Sequence, residues 1–331
     1  MRYCLDKRFF IASLLTALVA LGALAQTRHP AYDHMVRAAK KVRTAQETLY
    51  DRKVELGIAD STLDPQRTGV IGVEYSPITT TVGYLKSKRA AANPDFAAHI
   101  VRELLDHGVG PDDSVLVNMT GSFPGLNLAV MMALDALDIR SLRFCSVGAS
   151  SYGANQEEFT WLDMEDILYR DHLLKRRSNF VTLGGTGDVG GGLSDEARDI
   201  LKEKALELNY PIIKARSLRR QIRLRMKYIG DPRRYSLLIN VGGNHAMLGN
   251  GGRQLPGGWN EPGTQPVHPD SLGEPQGIVF DFLANGVPVL NLLHIEDVAR
   301  QACLPFDPDT LSPPGVSPVY FLIASSGERP H

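Results

Sequence analysis

Three polar residues that could together perform nucleophilic chemistry lie shortly after apolar runs of the chain. They are Ser122, Asp188 and His245. A serine, a histidine and an aspartate that meet in space can activate the serine hydroxyl. The run around Ser122 reads Gly-Ser-Phe-Pro-Gly, which differs from the G-x-S-x-G turn of hydrolases. Ser122 therefore has three interpretations: a nucleophile, a contact for an anionic ligand, or a helix cap.

A glycine-rich run surrounds Asp188. Gly185, Gly187 and Gly190 match the G-x-G-x-x-G pattern of dinucleotide sites. The position of Asp188 inside the run argues against such a site, because a carboxylate would repel a pyrophosphate. The glycines still permit close approach of a substrate to the backbone, with Asp188 as an acid, base or cation ligand. The chain has no H-E-x-x-H or C-x-x-C spacing, and we predict neither a metal nor a cofactor.

Residues 214–234 form a basic run that contains Asp231 as its one acidic residue. On a helix, five of its cations share one face: Arg216, Arg219, Arg220, Arg223 and Lys227. Such a face is most simply a solvated surface. The alternative is a face for a polyanion, since arginine pairs with carboxylates in a bidentate way. In an exported protein that polyanion would be a carboxylate polymer or an anionic lipid rather than DNA.

Short apolar runs alternate with helical patterns from about residue 68 onward. We predict strands over residues 70–75, 114–119, 142–147, 180–183, 211–214 and 236–241, with further apolar runs at 278–283, 287–293 and 319–324. We predict helices over residues 95–107, 126–137, 160–169, 194–208 and 218–229. This alternation predicts an α/β fold with a mostly parallel, Rossmann-like sheet, helices on both faces and a hydrophobic helix before it. In such a sheet the ligand crevice lies at the carboxyl ends of the strands.

The chain divides into three parts in this interpretation. Residues 1–25 are an anchor or signal, residues 26–60 contain a juxtamembrane helix over 31–56, and residues 61–331 form the α/β domain. Residues 249–276 are rich in Gly, Pro, Asn and Gln and are expected to form a long loop.

Composition excludes several classes of protein. The formal net charge is −1 over 331 residues, which gives no signature of nucleic-acid binding. Charged residues make up 22% and hydrophobic residues 43%, as in a packed globular protein. Three cysteines are too few for a disulfide framework, so Cys145 and Cys303 are expected to be buried free thiols unless they pair with each other.

Residues 9–25 contain no charged residue, proline or histidine, and Arg2, Lys7 and Arg8 precede them. As a helix they would span about 25 Å, near the lower limit for crossing a membrane. The same pattern fits a signal peptide cleaved before Gln26. We therefore expect a single-pass bacterial inner-membrane protein whose domain faces the periplasm or exterior, or a protein secreted to the periplasm.

The exported part of the chain resembles the bacterial poly-gamma-glutamate system protein family. The most specific match is the run Phe-Thr-Trp-Leu-Asp-Met-Glu at residues 159–165. The other matching stretches are residues 67–69, 76–77, 79–81, 88–89, 93–97, 121–127, 146–150, 190–194, 240–243 and 286–289, with Gly72 and Glu74.

This resemblance implies a membrane-associated accessory factor in the biosynthesis, export or release of the poly-gamma-glutamate capsule or exopolymer. Its expected partners are poly-gamma-glutamate or the synthase and export machinery, and the membrane through residues 9–25. Candidate ligand contacts are Glu74, Thr80, Arg89, Phe123, Asn127, Ser150, Asn155, Trp161, Asp163 and Asn244. Two alternatives stay open: a hydrolase or transferase of γ-glutamyl or related amide bonds that uses Ser122, His245 and Asp188, and a module that binds an anionic, phospho-sugar-like ligand.

Overall fold

The computed structural model describes residues 27–250, 255–263 and 275–322. Its centre is a six-stranded sheet made of β1 (Ser114–Thr120), β2 (Arg140–Ser146), β5 (Phe180–Thr182), β6 (Leu237–Val241), β7 (Gly258–Asn260) and β8 (Val289–Leu292). The order of these strands in the sheet is β5-β2-β1-β6-β8-β7. In a separate ribbon, β3 (Asn155–Gln156) pairs with β4 (Phe159–Thr160). Five strands are parallel and β7 runs antiparallel to β8, which confirms the predicted mostly parallel α/β sheet.

Helices cover both faces of the sheet. In chain order they are α1 (Tyr32–Glu55), α2 (Leu85–Ala91), α3 (Asp95–Asp106), α4 (Pro124–Ala136), α5 (Trp161–Arg170), α6 (Asp195–Glu207), α7 (Leu218–Ile229), α8 (His245–Leu248), α9 (Ile278–Ala284) and α10 (Ile295–Gln301). Apolar residues of α1, α3 and α4 pack with Val115 and Val117 of β1. Those of α9 pack with Leu116 and Leu238 from the opposite face. The side chains of β1 thus alternate between two cores.

The helix expected beside the membrane belongs to the core of the domain. The predicted helix over residues 31–56 is confirmed as α1. Its residues Met35, Val42 and Leu49 are at most 1% exposed and belong to one apolar cluster with α3 and α4. The division at residue 60 is therefore not a boundary between packed units, because removing α1 would expose the face of α4.

Four local predictions were wrong. Residues 70–75 form extended loop rather than a strand, and residues 211–214 make a single bridge to β5 rather than a strand. The apolar run at 278–283 lies in α9. The expected long loop at 249–276 contains β7, which caps the edge of the sheet. Cys303 is exposed, whereas Cys145 is buried, and both are free thiols. Short apolar runs predict burial but do not distinguish a strand from a buried helix.

The predicted apolar segment at residues 9–25 lies outside the described residues. Within the described ranges, no helix is both long and apolar enough to cross a membrane.

Candidate functional site

A cleft of about 420 Å³ lies at the carboxyl ends of the parallel strands. The loops that follow β1, β2, β5, β6 and β8 contribute to its wall, and the segment before and within α2 closes one side. Its lining residues include Thr80, Tyr84, Lys88, Thr120, Ser122, Phe123, Ser146, Ser150, Thr186, Asn244, His245 and His294, with glycines at 83, 148, 184, 185 and 243. The strand-end position predicted from the sequence is therefore where the structure places the cleft.

The cleft is lined mainly by groups that can donate hydrogen bonds. Hydroxyls, an amide, two imidazoles and one amine line it, while none of its described lining residues is an aspartate or a glutamate. The Thr120 hydroxyl is buried without a hydrogen-bond partner among the described residues. A buried polar atom without a partner is costly, so this hydroxyl is an unsatisfied group beside the cleft. The lining thus suits an anionic, oxygen-rich ligand.

Ser122, His245 and Asp188 are not joined as a catalytic triad. Ser122 Oγ accepts a hydrogen bond from the backbone N–H of Ser150 at 3.0 Å. His245 Nδ1 accepts one from the N–H of Gly187 at 2.9 Å, so neutral His245 carries its proton on Nε2. In a triad, Nδ1 must instead donate to the carboxylate. Ser122 and His245 do line the cleft, as expected for a strand-end site.

Asp188 lies below the cleft floor in an ion pair that sequence reasoning missed. Its Oδ2 accepts a hydrogen bond from Arg225 Nη2 at 2.6 Å, and both side chains are fully buried. Its Oδ1 accepts bonds from the hydroxyls of Ser146 and Thr182, each at 2.7 Å. Asp188 also has a left-handed φ of 59°, so these bonds hold a strained residue of the glycine-rich loop in place.

Arg225 connects that loop to the centre of the sheet. Its Nη1 donates to Asn118 Oδ1 at 2.7 Å. Asn118 donates to Asn240, which donates to Asn291, at 2.9 Å each. These three asparagines occupy adjacent positions on β1, β6 and β8, so one buried polar row crosses the sheet just below the cleft. The row thereby fixes the register of β1, β6 and β8, and with it the positions of their carboxyl ends relative to one another.

Helix α7 presents both the predicted basic face and this buried arginine. Ser217 begins the helix by accepting a hydrogen bond from the N–H of Arg220, and Gly230 ends it at a φ of 75°. The five cations of the predicted face are exposed: Arg216, Arg219, Arg220, Arg223 and Lys227. The inward residues are Gln221, Arg225 and Ile229. Helical spacing alone already places Arg225 off the exposed basic face. This spacing was the signal in the sequence that Arg225 points inward.

Lys88 is the second functional candidate that was missed. It is 4% exposed, and its Nζ donates to Ser150 Oγ at 2.8 Å and to the backbone carbonyl of Ser122. The amine also lies 3.7 Å from the centre of the Phe123 ring. No carboxylate pairs with it in the part of the chain that the structure describes. Burial therefore lowers the pKa of Lys88 to about 7.

Four of the ten predicted ligand contacts line the cleft: Thr80, Phe123, Ser150 and Asn244. The other six lie elsewhere. Of these, Arg89 holds the carbonyls of Thr62 and Leu63, and Glu74 is exposed away from the cleft.

The remaining four of these predicted contacts have structural roles. Asn127 donates to the carbonyl of Thr120, and Asn155 bonds both backbone groups of Val73. Trp161 is fully buried in the core. Asp163 forms the capping box of α5 with Thr160 and pairs with Lys204 at 2.9 Å. These assignments follow from packing that a single sequence does not display.

Comparison of the chain with family models, curated proteins and solved structures finds no match. Within the described residues, no group of three or more His, Cys, Asp or Glu side chains could hold a metal ion. The function is therefore inferred from the geometry of the cleft.

The buried ion pair yields a prediction about stability. Asp188→Asn leaves the Arg225 guanidinium without its counter-charge and should lower the free energy of unfolding by about 3 kcal/mol. Arg225→Met should have a similar effect. The double variant should lose less than the sum of the two, since neither charge is then left unpaired. Urea unfolding of the four proteins measures this coupling.

Asp195→Asn is the matched control for that cycle, because Asp195 pairs with Arg198 on the exposed surface. We expect little change in its unfolding curve. Additive losses in the cycle would show that the Asp188–Arg225 pair does not act as a unit.

The pKa of Lys88 gives a second prediction. Between pH 7 and about 10.5 the unfolded chain binds a proton at Lys88 that the folded protein has released, so stability rises with pH across this window. Lys88→Met removes this pH-dependent loss of stability and should stabilise the protein by about 1–3 kcal/mol at pH 7. The gain should vanish near pH 10.5. Urea unfolding at several pH values checks this, with exposed Lys86→Met as the control. A gain independent of pH would show that Lys88 is charged in the folded protein.

Proposed function

We propose that this protein binds a glutamyl chain or a related anion in the strand-end cleft, as an exported accessory factor of poly-gamma-glutamate production. The observation that carries the proposal is the cleft lining: hydroxyl, amide, imidazole and amine groups without a carboxylate among the described lining residues. The resemblance of residues 159–165 and the other matching stretches supports the choice of polymer. Membrane association through residues 9–25 belongs to the same proposal.

The chemistry of the ligand matches the groups present. Each residue of a γ-linked chain has one α-carboxylate and one amide in its backbone. The Nε2–H of His245 and the hydroxyl of Ser122 would donate to the carboxylate oxygens, and Lys88 would attract the carboxylate when it is protonated. The Asp188–Arg225 pair supports this by keeping the Asp188 carboxylate neutralised below the floor.

The basic face of α7 gives the proposal a second, weaker contact. Helix α7 begins beside the glycine-rich loop, where a Cβ added at Gly187 would lie 3.8 Å from Leu218. A long polyanion held in the cleft could therefore continue along exposed cations, which add affinity in a salt-dependent way.

The cleft is tested by calorimetric titration with γ-linked triglutamate. We expect tighter binding than for α-linked triglutamate, and the loss of most affinity when the α-carboxylates become carboxamides. Inorganic phosphate as a competitor distinguishes a phosphate site from a carboxylate site. Equal affinity for the charged and uncharged oligomers would refute the proposal.

Gly243 offers a matched pair of variants for this titration. It lines the cleft, and a Cβ there meets no atom within 4 Å. Gly243→Asp adds a negative charge and should bind γ-linked triglutamate about 10-fold more weakly than Gly243→Asn, which has the same shape. Similar affinities of the two variants would place the anion elsewhere.

The basic face is tested with long poly-gamma-glutamate. Arg219→Glu with Arg223→Glu should weaken polymer binding and flatten its dependence on salt, without affecting the triglutamate. The control, Arg37→Glu with Lys40→Glu, makes the same charge change on the exposed side of α1. Unchanged polymer binding at low salt would leave α7 as a solvated surface.

A further inference from the structure

Lys88 and Ser150 form a pair that neither strand-end reasoning nor the proposed function assigns. Both line the cleft, at 4% and 6% exposure, and Nζ lies 2.8 Å from Ser150 Oγ. The two residues are 62 positions apart in the chain. They meet because α2 packs beside the loop that follows β2.

The surroundings hold this pair in one geometry. The N–H of Ser150 donates to Ser122 Oγ at 3.0 Å, which orients the Ser150 backbone. The carbonyl of Ser122 accepts a second bond from Lys88 Nζ, which orients the amine. The same residue therefore positions both members, and Ser122 serves as a positioning residue.

The backbone at Gly83 lies directly against the pair. A Cβ at that position would lie 3.1 Å from Ser150 Oγ and 3.2 Å from Lys88 Cε. It would also lie 2.5 Å from the carbonyl oxygen of Ser151, a separation that real Cβ atoms do not show. The absence of a side chain at Gly83 thus lets the backbone pack directly against both members of the pair.

The amine has the properties of a general base. Because it is buried without a carboxylate partner, its pKa falls to about 7, and a large fraction is neutral at physiological pH. A neutral amine at hydrogen-bond distance from a hydroxyl can accept the hydroxyl proton. Serine–lysine pairs are one of the recurring variants of the serine–histidine–aspartate arrangement.

We propose that Ser150 is a nucleophile and Lys88 its general base, and that together they cleave an amide or ester bond of an acyl ligand in the cleft. The choice of a γ-glutamyl amide as the substrate rests on the proposed function, whereas the pair itself does not. This assignment replaces Ser122 by Ser150, and it requires neither His245 nor Asp188 as the base.

The reaction has two halves. Lys88 Nζ accepts the hydroxyl proton while Ser150 Oγ bonds to the acyl carbon, and the C–N bond then breaks as Lys88 gives that proton to the leaving amine. Water next attacks the acyl–Ser150 ester, and Lys88 accepts a proton from it. The ester bond breaks, Ser150 regains its proton from Lys88, and a carboxylic acid leaves.

The pair is tested on the full-length protein with a fluorophosphonate, which bonds covalently to activated serines. Mass spectrometry of peptides should locate the adduct on Ser150, and Ser150→Ala should abolish it. Lys88→Arg keeps a hydrogen-bond donor, but its guanidinium stays protonated and cannot accept a proton, so labelling should slow by about 100-fold or more. Lys86→Met on the same helix should label as the unaltered protein does.

The pH dependence separates a base from a structural residue. The labelling rate should rise with an inflection near pH 7 and level off above it, as neutral Lys88 accumulates. Among the described residues, the other titratable side chains lining the cleft are His245, His294 and Tyr84. The inflection should therefore persist when both histidines are replaced by glutamine. Its loss in that variant would assign the base to a histidine and overturn the role of Lys88.

Two measurements keep this inference separate from the proposed function. An adduct on Ser150 without binding of γ-linked triglutamate would support the pair and refute the ligand. Binding of the oligomer with no adduct on Ser150, and with no shortening of poly-gamma-glutamate, would refute the pair and leave a binding protein. An adduct on Ser122, or equal rates in Lys88→Arg, would likewise overturn the assignment.

Discussion

The buried ion pair between Asp188 and Arg225 holds together the elements under the floor of the cleft. The guanidinium contacts Asp188, Ser146 and Thr182 on one side and Asn118 on the other. It therefore joins the glycine-rich loop, three strands and α7 in one hydrogen-bonded unit. Such a pair is expensive to desolvate, and its value lies in fixing one arrangement of the groups that it connects.

The ionisable groups below the floor of the cleft and in its wall are buried in different electrostatic surroundings. Below the floor, the charges of Asp188 and Arg225 neutralise each other. The hydroxyls of Ser146 and Thr182 and the amide of Asn118 bond the other polar atoms of the pair, except Arg225 Nε, which has no partner among the described residues. In the wall, Lys88 is buried beside neutral partners, and its pKa falls as a result. The first arrangement gives a rigid support, whereas the second gives a reactive amine. Only neutral partners offset the cost of desolvating Lys88, and buried groups with strongly shifted pKa values are concentrated at functional sites.

The sequence predicted the sheet and the location of the cleft because both follow from local patterns. Buried parallel strands read as continuous apolar runs, and the residues after them meet at one edge, as Ser122 and His245 do. The same rule placed Asp188 in the cleft, and that prediction was wrong. Arg225, the partner that turns the Asp188 carboxylate inward, is 37 residues away in the chain. The prediction that Trp161 contacts the ligand was wrong for a similar reason, because only the packing of the fold shows that its ring is buried. Lys88 was missed because α2 follows no strand, and its burial is produced by loops from distant parts of the chain.

The two roles of the cleft place a geometric demand on its ligand. A carboxylate beside Lys88 would stabilise the ammonium, raise the pKa of Lys88 and remove the base. A productive ligand must therefore put its negative charge near His245 or His294 and an uncharged acyl group near Ser150. A γ-linked glutamyl chain has this layout, since two methylene groups separate the Cα that carries each carboxylate from the amide carbonyl. On the acyl side an α-linked chain has the same separation, because three carbons lie between the two carbonyl carbons of a glutamyl unit in either linkage. The linkages differ on the nitrogen side, where only the γ-linked chain has a carboxylate one carbon from the amide nitrogen. For that chain it is therefore the carboxylate of the leaving amine that must be held away from Lys88.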